Sequence, residues 1–370
     1  MSNTLSRQQL VSHINQKFGK NTLMSAIEAA GLSRVRCPFG IAGIDILLNG
    51  GLVEGKIHQI RGNESSSKTT HSLKFALSYL RKYPDGVFIF VDAEDSSDVD
   101  FLRLLGFSTD ELERTYYIHP GSGERAGDVT CEIASLSEKV VIVIDSVDTL
   151  TPSAELDTDM EKAGVSPGAR MMNKFMRKLV PVMQAGLDAD SPRCTVLLIC
   201  QLREKIGVMF GSPATTWGGK GKNFAASTII DLARTAYLYD GKGKTRFTYA
   251  MNVAATLNKC KGPSQGDSAE YTFYKANHDI HKNGTFDDID ALLTWGVRLS
   301  IIQKKANTYV YDDLSGIGAK FSAGLQGDAK IRKKLFAEIV AKRKELYGIS
   351  EPTTSKTKKP TTKKRGLTRG

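Results

Sequence analysis

Several things this chain has little of narrow its class before any motif is read. No apolar run approaches the roughly 18 to 20 residues needed to cross a bilayer. The opening MSNTLSRQQLV has no apolar stretch of the kind that directs secretion. Neither a membrane protein nor a secreted one is expected, and the expected location is cytoplasmic. The five cysteines (Cys37, Cys131, Cys194, Cys200, Cys260) are odd in number and scattered, without a CxxC pair. That argues against a disulfide framework, a thiolate zinc site and dithiol redox chemistry, and leaves reduced structural thiols. The six histidines are equally dispersed. Their one close pair, His278 and His281, lacks the cysteine or carboxylate spacing of a metal site and reads as part of a polar loop.

Acidic charge is in deficit. Fifty-one Lys and Arg against forty Asp and Glu leave a net charge of +11, a balance that favours an anionic partner such as nucleic acid and that a solvated lysine surface would also produce. With 41% apolar residues in 370, the chain is long enough for one large core and a smaller second one. A helix is expected around Leu10 to Ala30, followed by the polar connector SRVR. From Ile57 to about Leu257, short β-branched runs alternate with amphipathic segments, the pattern of a mainly parallel sheet flanked by helices. The strand candidates are IHQIR, VFIFVD, TYYIHP, VVIVID and TVLLIC. Leu73, Ala76, Leu77 and Leu80 repeat at i, i+3, i+4 and i+7, predicting a helix over Thr69 to Tyr83. Ile289, Leu292 and Leu293 suggest one later helix, and Ile331, Leu335, Ile339 and Leu346 another. The final stretch from Glu351 has seven basic residues, one acid and two prolines, too little apolar surface to fold. The expected division is therefore 1–35, an N-terminal helix and linker; 36–283, an α/β core; 284–348, a small α/β C-terminal domain; and 349–370, a basic tail.

Between the first strand and the first helix of the core lies GNESSSKTT, comprising Gly62, Asn63, Glu64, Ser65, Ser66, Ser67, Lys68, Thr69 and Thr70. In such a strand–loop–helix unit, backbone N–H groups and the helix N-terminus point at phosphate oxygens, a lysine supplies charge to the β and γ groups, and the next hydroxyl reaches Mg²⁺. The usual pattern is GxxxxGK[ST]. Ser67 stands where the second glycine is expected, and a serine forced to positive φ costs on the order of 1 kcal/mol. Asp145 ends VVIVID, where a carboxylate can hold Mg²⁺ through water with support from Ser146. Glu94 follows VFIFVD near the same sheet edge. It either orients and activates an attacking water or is one surface carboxylate of DAEDSSDVD.

FGKNTLM at Phe18, GNESSSKTT at Gly62, FVDAED at Phe90, VIDSVDTLTP at Val143, ARMMNKFMRK at Ala169 and QLREKIGVMFGSP at Gln201 together resemble the RecA recombinase family, and they occur in that family's order. The resemblance covers about Phe18 to Gly348, and is strong from Gly40 to Ser227 and patchy afterwards. It implies a P-loop ATPase core that binds ATP and Mg²⁺, with Lys68 and Thr69 on phosphate and metal, Asp145 as the strand-end aspartate and Glu94 activating water. Asp98 and Phe101 match positions that contact adenine, Phe101 by stacking. Gln201 matches the residue that senses the γ-phosphate. Lys259 matches one of two lysines that reach a neighbour's γ-phosphate, and Leu257 occupies the place of the other.

The resemblance also implies two DNA-binding loops. One runs from about Asp157 to Gly168 and includes Val165. It precedes a helix on which Arg170, Asn173 and Arg177 share one face. The other runs from about Arg203 to Lys220 and carries Lys205, Ile206, Phe210, Trp217, Gly218 and Gly219. Cations, aromatics and flexible backbone suit single-stranded DNA, whereas a solvated loop with Phe210 or Trp217 packed locally is the alternative. FGKNTLM resembles a helix that docks on the neighbouring subunit, which implies a helical filament acting on single-stranded DNA and a homologous duplex. Two other readings stay open: a ring-forming DNA motor of the same core fold, and a passive single-strand-binding or annealing protein.

Overall fold

The computed structural model describes residues 5–19, 22–26, 28, 35–95, 98–136, 139–158, 167–185, 194–204, 214–260 and 262–349. A short ribbon pairs β1 (Arg36–Cys37) with β2 (Leu52–Val53). The body is a nine-stranded sheet. Its strands are β3 (Ile57–Gly62), β4 (Val87–Asp92), β5 (Thr115–Ile118), β6 (Val140–Asp145), β7 (Thr195–Gln201), β10 (Thr228–Asp240), β11 (Phe247–Lys259), β12 (Ser268–Tyr274) and β13 (Phe286–Asp287). A two-strand ribbon, β8 (Arg203–Glu204) with β9 (Ala214–Thr215), stands apart from it.

The spatial order is β13-β12-β11-β10-β3-β7-β6-β4-β5. β5, β4, β6, β7, β3 and β10 are parallel to their neighbours, while β10 to β13 are antiparallel. All five predicted strands are present and form the parallel half together with β10. The antiparallel half lies beyond what the β-branched runs indicated.

Both faces of the parallel half are covered, which explains the unbroken apolar runs of its strands. Alternate residues point to opposite sides. Val141, Val143, Leu197 and Ile199 join one buried cluster with Phe75, Tyr79 and Leu80 of the helix Lys68–Lys82. Ile142, Ile144, Val196 and Leu198 join the other with Met172, Phe175, Met176 and Leu179 of the helix Pro167–Ala185. The helix predicted over Thr69 to Tyr83 is therefore the one observed, to within a residue at each end.

The N-terminal helix differs from expectation. It runs from Arg7 to Phe18 and stops at Gly19, which adopts φ 108°. Just beyond, the Asn15 amide accepts from the Leu23 N–H and donates to the Leu23 carbonyl, both at 2.8 Å. Helical geometry resumes at Ala26, so the single element expected from Leu10 to Ala30 is divided by a glycine turn.

At the other end, the helices Ile289–Arg298 and Ala329–Leu346 flank a three-stranded antiparallel sheet, β14 (Gln303–Lys305), β15 (Thr308–Tyr311) and β16 (Leu314–Ile317). Trp295, Leu335 and Ile339 of those helices are buried in the first apolar cluster. Among the described residues no helix is long and apolar enough to cross a membrane.

Candidate active site

The C-terminal ends of β3, β4, β6 and β7 converge on one edge of the sheet. Gly62 lies opposite Gln201, and Asp92 opposite Asp145, in the strand register. Gly62 begins the phosphate loop because nothing larger fits there. A Cβ would lie 2.3 Å from Ser66 Oγ and 2.5 Å from the Leu232 carbonyl oxygen. Ser65 (φ 58°) and Ser67 (φ 61°) both take positive φ on either side of Ser66, an alternation that turns successive N–H groups toward one concave side. The helix Lys68–Lys82 starts directly from Ser67, which is left-handed at ψ 31°. The conformation expected of a glycine is thus imposed on a serine, at a cost of about 1–2 kcal/mol.

Four functional side chains gather around that loop. Lys68 is buried, and its Nζ donates to the Asn63 carbonyl at 2.9 Å. Burial lowers its pKa, opposed by the nearby carboxylates of Asp145, Glu94 and Asp148. Thr69 Oγ1 donates to Asp145 Oδ2 at 2.6 Å. Asp145 is itself buried, which raises its carboxyl to about 7. Neighbouring Glu94 pushes it the same way, while the Thr69 hydrogen bond and Lys68 oppose the shift. Ser146 Oγ donates to Glu94 Oε1 at 2.6 Å. Glu94, which composition alone left as either catalytic or a surface carboxylate, is therefore fixed to the residue following the strand-end aspartate.

The edge also holds residues that sequence reasoning passed over. Asp148 Oδ2 accepts from the Gln201 backbone N–H at 2.7 Å, tying the segment after β6 to the end of β7. His71 contacts Ser67 and Tyr271. Its placement one helical turn after the serine that departs from glycine was the available signal. Asp98 caps the helix Val99–Leu104 by accepting from the Asp100 N–H at 2.8 Å, and Phe101 packs part of its ring on the first apolar cluster. Lys259 Nζ donates to the Asn223 and Phe224 carbonyls at 2.7 and 3.2 Å, and Leu257 is buried.

Of the nucleic-acid candidates, Val165, Lys205, Ile206 and Phe210 lie outside the described residues, as does the tail from residue 350 onward. Arg203 begins the β8–β9 ribbon. Arg170, Asn173 and Arg177 do share the exposed face of their helix, and Gly219 and Lys220 are exposed as well. The second loop returns onto that helix. A Cβ on Gly168 would sit 2.1 Å from the Trp217 ring, and one on Gly221 would sit 2.0 Å from Asn173 Oδ1. Gly218 rests on Met172. Trp217 therefore packs locally at the junction, and the arginine face and the Gly219–Lys220 turn form one surface.

Oxygen donors only 2.6 Å apart at Thr69 and Asp145 suit a small hard cation such as Mg²⁺. A family model described as the RecA N-terminal domain matches residues 6–276. The chain is similar to proteins named Protein RecA from several bacteria. That from Nocardia farcinica is 33% identical over 357 residues, covering 93% of each chain. The Frankia casuarinae protein is 34% identical over 92% of each chain. For the Gloeobacter violaceus protein the identity is 32%, over 82% of this chain and 76% of the relative. Phosphate loop, strand-end aspartate and glutamate share one sheet edge, and the family match takes in eight of the nine strands of the sheet: this chain belongs to the RecA family.

Proposed function

We propose that this chain is an ATP-dependent DNA recombinase, a cytoplasmic DNA-dependent ATPase. It coats single-stranded DNA as a head-to-tail helical filament, pairs it with a homologous duplex and exchanges strands. The observation that carries the reading is the pair of short hydrogen bonds, Thr69 to Asp145 and Ser146 to Glu94, set beside Gln201, whose own backbone is held by Asp148.

Each residue then has one task. The loop N–H groups and Lys68 Nζ take the phosphate oxygens of ATP, with the phosphate replacing the Asn63 carbonyl as the lysine's partner. Thr69 and Asp145 would hold Mg²⁺, which neutralises phosphate charge when bound. Glu94, oriented by Ser146, accepts a proton from the attacking water. Asp98 and Phe101 receive the adenine. Gln201 faces the γ-phosphate and passes its presence into the second loop, so that ATP favours the DNA-binding arrangement and hydrolysis releases it. Arg170, Asn173, Arg177 and Lys220 hold the DNA backbone, joined by Val165, Arg203, Lys205, Ile206, Phe210 and Gly219 of the two loops, while Trp217 and the buried Gly218 seat the second loop on the helix. Lys259 reaches the neighbouring subunit's nucleotide. The exposed helix Arg7–Phe18, which buries none of its own residues and leaves the Leu10 and Phe18 side chains in solvent, supplies the contact between subunits. Residues 284–348 act as a small C-terminal domain.

ATP hydrolysis by the full chain, with and without single-stranded DNA, tests the assignment. DNA should stimulate turnover, and Lys68→Ala should abolish it. Glu94→Gln should lower kcat by about 10²–10⁴-fold, the usual worth of a general base, while still binding ATP and holding DNA. Normal turnover by Glu94→Gln removes that residue from the mechanism.

A further inference from the structure

Ser67 stands at φ 61° and ψ 31° at the point where the phosphate loop enters its helix, in a region that glycine adopts freely and other residues do not. We infer that His71 and Tyr271 form a brace that holds Ser67 in this left-handed conformation, which makes His71 a positioning residue for phosphate binding in a loop lacking its second glycine. The inference rests on the reading of residues 62–70 as a phosphate loop.

The hydrogen bonds allow one consistent assignment of protons. His71 is wholly buried. Its Nδ1 lies 2.7 Å from the Ser67 carbonyl oxygen and 3.2 Å from Ser67 Oγ. A carbonyl oxygen only accepts, so Nδ1 carries the proton. Nε2 must then accept, and the Tyr271 hydroxyl 2.8 Å away donates to it. The His71 backbone N–H donates to the same Ser67 carbonyl at 3.0 Å, so one residue grips that carbonyl twice. Ser67 Oγ donates to the Ser66 carbonyl at 2.6 Å and turns its lone pairs toward Nδ1–H. Phe286 stands edge-on to the imidazole at 5.1 Å and Tyr271 is tilted against it at 5.7 Å, so the ring is held from the side of β12 and β13. Burial keeps it neutral, with its pKa pushed down to about 4.

The consequence is a linkage between two positions. Without the imidazole, Ser67 is free to relax toward ordinary φ, and the N–H groups of the loop turn away from phosphate. With glycine at position 67 the brace has nothing to hold. Affinity for a fluorescent ATP analogue with Mg²⁺ should be measured for four full-length chains: unsubstituted, His71→Leu, Ser67→Gly and the double variant. His71→Leu strands the Tyr271 hydroxyl in both backgrounds, so that cost cancels in the comparison. It should weaken binding about tenfold when Ser67 is present and less than about twofold in the Ser67→Gly background, a coupling of the size neighbouring residues show. An equal loss in both backgrounds overturns the inference and leaves His71 as ordinary packing.

If His71→Leu folds only together with Ser67→Gly, the brace is supported. If neither folds, the imidazole tautomer decides, read by ¹⁵N NMR on the unsubstituted chain. Nδ1–H is expected and Nε2–H overturns the inference. Failure of the unsubstituted chain to bind nucleotide contradicts the reading of the loop, whereas the brace is still decided by the tautomer and by the same four-chain comparison of melting temperatures.

Discussion

His58, in β3, shows how one buried side chain sets a pH response. Its Nε2 lies 2.8 Å from the Val53 carbonyl and its Nδ1 has no hydrogen-bond partner. Protonation would place a second N–H in a buried site with no acceptor, and burial, reinforced by Arg36 and Lys56 and opposed by the Val53 bond, holds the pKa down at about 4. An unfolded histidine titrates near 6.5. Between these values the unfolded chain binds the extra proton, so stability that is complete above pH 6.5 is lost as the pH falls toward 4. Urea unfolding should show this decline, and His58→Leu should make it shallower, the remainder coming from His71, whose pKa burial also holds down at about 4. Residues whose chemistry depends on chain spacing were legible from sequence: Lys68 and Thr69 by their place between strand and helix, Asp145 by ending a strand. His71 and Asp148 were not, because each is defined by a partner remote in sequence. Tyr271 is 200 residues from His71, and the Gln201 N–H is 53 residues from Asp148.

Among the elements, five of the six parallel strands were readable because burial on both faces demands unbroken β-branched runs. β10, which joins the parallel half to the antiparallel one, and the strands beyond it were not. β10 begins with buried residues and then emerges into solvent from Ala233 onward, so it offers neither a continuous apolar run nor a clean alternation. The break at Gly19 was hidden for a related reason, since apolar residues continue on both sides of it. The C-terminal helix Ala329–Leu346 is anchored by Arg343, which is fully buried. Arg343 donates to Asp267 at 2.9 Å and stacks over Trp295 at 4.0 Å. Replacing it with Met should cost about 3 kcal/mol in urea unfolding, the low end for breaking a buried pair, because Asp267 is partly exposed and keeps the Tyr347 hydroxyl at 2.7 Å. No loss of stability would mean that the helix is held by its apolar face alone.

For the whole molecule, the surplus of 51 cations over 40 acids becomes meaningful where Arg170, Arg177 and Lys220 share an exposed surface. If each of the three neutralises one phosphate of single-stranded DNA, the logarithm of affinity should fall with the logarithm of salt at a slope of about −2. Arg177→Ala should then make the slope shallower by about 0.7, and an unchanged slope would take that arginine off the DNA path. Deleting Glu351 to Gly370, which removes seven cations and one acid, should lower DNA affinity at moderate salt, whereas tighter binding would mean that the tail competes with DNA. In the proposed function, nucleotide at the Gly62–Thr70 loop governs assembly on DNA. Electron microscopy of the full chain with single-stranded DNA, with and without ATP and Mg²⁺, tests it most directly. Continuous helical filaments that are extended and regular only with ATP are expected. Closed rings, or isolated beads on DNA that are the same with and without ATP, would contradict it.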